Sequence, residues 1–246
     1  MRRPRQRDGQ GARVRIDIDV AKVPKHGADI SGDTVDVSER RDGGLSLIMA
    51  DGMGSHAEAK FTSSFVVTKA MSLIAEGTRD GAAARAAHDA LFSIRDGKAS
   101  VGFVIVSADF ADSSLVITRN STCPVFVKKG EELLVFQEAA TPLGSQKMVK
   151  PNIYVLDLVP ETIVVTFTDG FMTSGGKSVP GWDTRDIVMQ VSKDLQRSDN
   201  VAMSLLDKAL ERDKGRPADD ISVAVMSVNP AEEAQKIRRM KVSMPV

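Results

Sequence analysis

From residue 101 to residue 168 the chain is a train of short apolar runs, at 101–106, 115–118, 125–127, 133–136, 153–158 and 163–168. Turn clusters such as Ala111-Asp112-Ser113-Ser114 and Lys128-Lys129-Gly130-Glu131 separate several of them by only a few residues. A parallel connection needs a crossover of a dozen residues or more, so runs this close can pair only antiparallel. The pattern predicts a meander of consecutive strands and excludes a βαβ architecture here.

The flanks add helices in blocks. Val14, Ile16, Ile18 and Val20 alternate with Arg15, Asp17 and Asp19, the period of a strand with one wet face. A run at 45–50 stops at Asp51-Gly52-Met53-Gly54, read as a buried strand entering a tight turn. Ser55 and Glu58 then have capping-box spacing, and Phe61, Phe65, Val66, Ala70, Leu73 and Ile74 recur at helical intervals until Gly77. A second helix is predicted over 81–94, with Ala83, Ala87, Ala90, Leu91 and Ile94 facing inward. Helices over 184–195 and 201–212 and a strand over 221–226 complete the order. Antiparallel strands with segregated helices imply an α+β domain of two sheets packed together and covered by helices.

Composition narrows the function classes. The chain has 246 residues, 42% hydrophobic and 27% charged, which suits one folded domain, expected over 14–246. Arg2, Arg3, Arg5, Arg7, Arg13 and Arg15 crowd the start, and residues 1–13 are read as a solvated basic leader instead of a nucleic-acid arm. Basic and acidic residues balance at 33 each, so no global field draws the protein to nucleic acid or anionic lipid. Cys123 is the single cysteine, which rules out an intrachain disulfide, and its strand context reads as a small apolar residue. No apolar run approaches the ~18 residues that cross a bilayer, and the expected location is cytoplasmic.

Four aspartates share one circumstance: each ends an apolar run or lies in the loop beside one. They are Asp33 in Ser31-Gly32-Asp33, Asp51 before Gly52, Asp169 in Thr168-Asp169-Gly170, and Asp219 in Asp219-Asp220-Ile221-Ser222. Any one D-G alone is more often a turn. Four in this setting point to hard divalent cations such as magnesium or manganese, which prefer oxygen ligands. With one cysteine and only His26, His56 and His88, a structural zinc site has no ligands to draw on. Two such ions sharing a carboxylate and a water lower that water's pKa, and the resulting hydroxide can displace a serine or threonine oxygen from phosphorus with no protein nucleophile. A glycine after Asp51 suits this chemistry if its carbonyl must approach a metal.

The ordered motifs resemble the metal-dependent PPM (PP2C-type) phosphatases, and more narrowly their SpoIIE/RsbU branch. The segment Ser121-Thr122-Cys123-Pro124 through Gly130 is similar to that branch's G-x-x-P-x-x-x-x-x-G hairpin, Thr141-Pro142-Leu143-Gly144 to its L-P-L/I-G turn, and the ending Lys241 to Val246 to that of SpoIIE domains. The likeness runs from about residue 21 to the end. It implies an α-β-β-α sandwich, two manganese or magnesium ions, and a phosphoserine or phosphothreonine protein substrate, for this branch commonly a STAS-domain anti-anti-sigma factor. Position by position, Asp51 resembles the metal-bridging aspartate with the Gly52 carbonyl as a further ligand. Asp169 and Asp219 resemble ligands of one ion, and Asp33 a residue acting through coordinated water. Asp220 stands where many relatives have asparagine, outside the direct ligands.

Departures are specific. The branch continues D-G-M-G-N-G or D-G-M-G-H-G where this chain has Ser55-His56. His56 is read as an exposed residue in the first turn of a helix, with phosphate contact as the alternative. Relatives outside the branch use an arginine on the substrate phosphate; the nearest basic residues here are Lys22, Lys25 and His26, and none is assigned. Two rival readings stay open at this level: a non-catalytic phosphoprotein-binding domain of the same fold, and a phosphatase of small molecules. Met49, Met53, Met71 and Met203 are expected in the core and Trp182 against the body. The helices between Ser55 and Ile94 are where a regulatory shift is expected, as in related domains.

Overall fold

The structure, a computed structural model, describes residues 14–54, 56–176, 183, 200–231 and 238–243, His56 through its backbone alone. The expected basic leader, Trp182 and the helix over 184–195 lie outside them. The strands are β1 (Val14–Val23), β2 (Thr34–Glu39), β3 (Gly44–Gly52), β4 (Val101–Asp109), β5 (Ser114–Asn120), β6 (Val125–Lys129), β7 (Glu132–Phe136), β8 (Asn152–Asp157), β9 (Thr162–Phe167) and β10 (Ile221–Pro230). The helices are α1 (His56–Ala75), α2 (Asp80–Arg95), the single turn α3 (Asp169–Thr173) and α4 (Val201–Arg212).

These strands form two antiparallel sheets, ordered β1-β10-β9-β6-β7 and β2-β3-β4-β5-β8. The hairpins β4–β5 and β6–β7 pair as their short turns dictate. The meander stops there, because β5 takes β8 as its outer neighbour and β6 takes β9. The chain therefore changes sheets between β5 and β6 and again between β7 and β8, which local turn chemistry does not encode. Strand β2, for which the sequence offers no separate expectation, pairs with β3 from Thr34 opposite Ala50 to Glu39 opposite Leu45.

Three apolar layers hold the sandwich. Leu47, Met49, Val104, Val106, Leu115, Ile117, Val125, Val164 and Met226 fill the space between the sheets. Ile48, Phe103 and Ile105, on the opposite pleat, meet Val66, Ala70 and Ile74 of α1 and Ala83, Ala87 and Leu91 of α2. Leu205, Leu206 and Ala209 of α4 meet Phe126, Phe167 and Val225 on the other outer face. Burying one such large side chain contributes ~1.5–3 kcal/mol, so each layer outweighs any single surface pair. The order helix, sheet, sheet, helix is the α-β-β-α arrangement expected.

Some inward-facing expectations fail. Ile94 is 51% exposed and Phe61 50% exposed, and the buried stripe of α2 turns instead onto Ala84 and His88. Met49 is buried and Met71 packs against the α1 layer, but Met53 and Met203 are exposed. Cys123 is buried as expected, and that burial raises its thiol to about 12. A polar network at the far end was not anticipated: Arg40 donates to Asp80 at 2.7 Å and Asp109 at 3.2 Å, and to Ser46 and Ser107, tying the start of α2 to the sheet beneath.

Candidate active site

The strand ends bring the predicted aspartates to one rim of the sandwich. Because β1 and β10 run antiparallel with Val23 opposite Ile221, the loop after β1 lies beside the loop before β10. The first carries Asp33 and the second Asp219 and Asp220. β9 ends at Phe167 opposite Val223, so Thr168 and Asp169 emerge at the same rim. From the second sheet β3 delivers Asp51, still in the strand and opposite Gly102. The strand thus runs two residues past the expected run and into the expected turn, to Gly52 opposite Val101.

Asp33 is buried at 1% exposure. Its Oδ2 accepts hydrogen bonds from Ser222 Oγ at 2.7 Å and Thr168 Oγ1 at 2.9 Å. The Thr168 hydroxyl can donate there because it accepts the Ser222 N–H on its other side, at 2.9 Å. The β9–β10 pairing thereby orients a carboxylate on a distant loop. Desolvation raises Asp33 to about 7 despite these hydroxyls, with Asp220 adding repulsion and Lys22 opposing it.

The other carboxyls are coupled to it. Asp51 is half-buried, and desolvation first, then the charges of Asp33 and Asp169, push it to about 8. The Asp169 backbone N–H and the Asp169 carboxyl both reach Asp51, which moderates the two residues' shifts. Asp169 is more exposed, yet desolvation and the neighbouring Asp219 still raise it. Asp219 is exposed and accepts the Asp220 N–H on its own Oδ1 at 2.9 Å.

Asp220 is a strut. Its Oδ1 accepts the Lys25 N–H at 2.8 Å and its Oδ2 the Gly32 N–H at 2.7 Å, pinning the loop that carries Asp33 to the start of β10. Both carboxylate oxygens are thus engaged on backbone. The glycines are required by packing: a Cβ on Gly52 would sit 2.1 Å from the Ala59 carbonyl oxygen of α1, and one on Gly170 2.1 Å from that of Asp220. Gly52 is thus explained by the close approach of α1, a reason different from the metal-side one expected.

Of the basic residues noted in the sequence, Lys25 and His26 use their backbone N–H groups, toward Asp220 and Pro217, and are exposed. Lys22 is exposed too, but its Nζ donates to the Asp33 carbonyl at 3.0 Å. Lys60, which sequence reasoning did not single out, meets the same carbonyl from α1 at 3.1 Å. The hydroxyls of Thr168 and Ser222 were missed too; both stand in the quoted motifs, but only the strand register shows that they converge. The side chain of His56 lies outside the described residues.

A cation suits this donor set. It is all oxygen, and three of its carboxyls are raised by desolvation and mutual repulsion, so a divalent ion would relieve the field that holds protons on them. Among the described residues no three acidic, histidine or cysteine side chains converge tightly enough to enclose an ion as they stand. What joins them is a shared rim and a shared field.

Comparison with known proteins agrees with this geometry. The sequence profile of the family described as Stage II sporulation protein E (SpoIIE) matches residues 41–229. Stage II sporulation protein E of Priestia megaterium is 22% identical over 213 residues, which is 85% of this chain and 36% of that protein. The chain thus spans little more than a third of that relative's length. The structure of the PP2C phosphatase domain and a fragment of the regulatory domain of SpoIIE from Bacillus subtilis superposes with a TM-score of 0.71 at 19% identity, covering 92% of this chain and 66% of that one. The catalytic domain of the serine threonine protein phosphatase PstP, in complex with two manganese ions, superposes with a TM-score of 0.69 at 16% identity, covering 88% of this chain and all of that one. Among the described residues no helix is long and apolar enough to cross a membrane.

Proposed function

The chain belongs to the SpoIIE family, and from that premise we propose that it is a metal-dependent protein serine/threonine phosphatase acting on a phosphorylated regulator, of the STAS-domain anti-anti-sigma class. The observation that carries the reading is the cluster of Asp33, Asp51, Asp169 and Asp219 on a rim where two sheets meet, in which burial and neighbouring carboxylates raise the first three.

In this reading Asp51, with the Gly52 carbonyl as a further ligand, would hold the magnesium or manganese ions together with Asp169 and Asp219, and Asp33 would act through coordinated water. Such a pair supplies a water of lowered pKa and charge stabilisation at the phosphoryl oxygens. The protein's part is preorganisation. Ser222 and Thr168 fix the Asp33 carboxylate on one oxygen, so it cannot rotate away as charge changes beside it. Asp220 holds the loop of Asp33 at a constant distance from β10. No serine, cysteine or histidine nucleophile is called on, which suits direct attack by water on a phosphomonoester.

The test is hydrolysis of a phosphoserine peptide and of p-nitrophenyl phosphate with manganese, magnesium or EDTA, in wild type and in Asp51→Asn. Turnover that needs the metal, and that falls at least ~10³-fold in the variant, is expected. Turnover unaffected by EDTA, or undiminished in Asp51→Asn, overturns the two-metal mechanism.

A further inference from the structure

Lys22 and Lys60 come from different layers, one from β1 and the other from the helix covering the opposite sheet, and meet at a single atom. Lys22 Nζ donates to the Asp33 carbonyl at 3.0 Å and Lys60 Nζ to the same oxygen at 3.1 Å, so the two nitrogens are no more than about 6 Å apart. Lys60 also donates to Thr34 Oγ1 at 3.0 Å. Among the described residues neither ammonium is paired with a carboxylate within 4.0 Å. Two like charges this close repel, and a carbonyl with a hydroxyl does not neutralise them.

The nearest carboxylates, Asp33 and Asp220, act on Lys22 through their charge but make no ion pair with either ammonium. Both oxygens of Asp220 are on backbone N–H groups, and Oδ2 of Asp33 is on two hydroxyls. If the cluster spends its negative charge on cations, as proposed above, the two ammonium groups keep theirs. Both contact the main chain of Asp33, the residue whose carboxylate belongs to the cluster. Each ammonium has a donor free beyond those used on protein, three for Lys22 less one and three for Lys60 less two. Lysine is a point charge suited to a tetrahedral oxyanion that presents several oxygens. Lys60 also lines an open groove along α1 with Ala57, Phe61, Ser64 and Phe65.

We infer that Lys22 and Lys60 form an oxyanion subsite that takes the phosphoryl oxygens of the substrate and, after hydrolysis, inorganic phosphate. The inference rests on the proposed function for the identity of its ligand. It supplies the phosphate-binding role for which the sequence offered no assignment.

Inorganic phosphate is titrated calorimetrically into the protein in saturating magnesium, and magnesium affinity is measured separately without phosphate. Lys22→Met and Lys60→Met are each expected to weaken phosphate about tenfold or more, as for loss of a charge-assisted hydrogen bond, with magnesium affinity held within about twofold. Lys22→Arg and Lys60→Arg are expected to recover most of the loss, and Lys129→Met, at the exposed end of β6 away from the rim, to change nothing. Unchanged phosphate affinity in both methionine variants overturns the inference. So does a loss matched by an equal loss of magnesium affinity, which would make the lysines struts for Asp33, and so does a wild type that binds no phosphate. If wild type binds phosphate through the lysines but turns over no substrate, the catalytic reading fails and the subsite stands. If turnover is metal-dependent and phosphate is indifferent to both lysines, the reverse holds.

Discussion

Metal binding at the rim should be strongly coupled to protons. In the metal-free protein Asp33 titrates at about 7 and Asp51 at about 8. A carboxyl must be ionised to serve a cation, so binding has to expel whatever protons remain. At pH 7 Asp33 is about half protonated and Asp51 about nine-tenths, so an ion should release about 1.4 protons, falling to about 0.6 at pH 8. The apparent magnesium affinity should weaken about 500-fold from pH 8 to pH 6, or ~3.7 kcal/mol, whereas two ordinary aspartates would give almost no change over that range. Asp169 is shifted in the same direction, so these figures are a floor. Calorimetric titration with magnesium in buffers of different ionisation enthalpy reads the proton count directly. Release of fewer than about 0.3 protons at pH 7, or an affinity that moves less than about threefold between pH 6 and 8, would refute the reasoning, since it would mean the carboxyls are already ionised without metal.

Two further outcomes follow from the same geometry. A carboxyl whose pKa is raised by folding contributes stability below its unfolded value, near 3.8, and loses that contribution as pH climbs through its folded value, about 8 for Asp51. In EDTA at pH 9, Asp51→Asn should therefore melt higher than wild type, by about 1–2 kcal/mol after discounting for partial exposure, or several degrees; a lower melting temperature there would show that the aspartate is structurally favourable without metal. Gly52→Ala forces a methyl to 2.1 Å from the Ala59 carbonyl, so α1 must retreat from β3. A loss of about 3 kcal/mol in urea unfolding, together with weakened magnesium binding, is expected, and a variant as stable as wild type would mean that the helix moves freely at this point.

Much of this was legible before any coordinates. Asp33, Asp51, Asp169 and Asp219 could be singled out because each interrupts an apolar run, and a charge at the end of a buried strand is placed by the strand's own periodicity. The two-layer α+β class follows from turns too short for crossovers, such as 128–131 between β6 and β7. Expectation failed where a residue's surroundings come from remote chain. Ile94 and Phe61 have helical spacing appropriate to a buried stripe, but both are about half exposed, and beside Phe61 it is Ala59, Thr62 and Ser63 that are buried. β2 has little apolar signal of its own and becomes a strand by pairing with β3.

The sequence by itself determined the ligand chemistry, because side-chain type decides which cations a cluster can bind and no neighbour can turn a carboxylate into a thiolate. It also determined the local units, the hairpins and the helices that follow Asp51, since turns and caps act over a few residues. Only the tertiary structure decided that β6 and β7 leave one sheet for the other, that Ser222 and Thr168 meet on one oxygen of Asp33 across 189 and 135 residues of chain, and that two lysines from separate layers converge on its carbonyl. Those contacts depend on strand register and layer packing, in which the whole core takes part, and no short stretch of sequence carries that information.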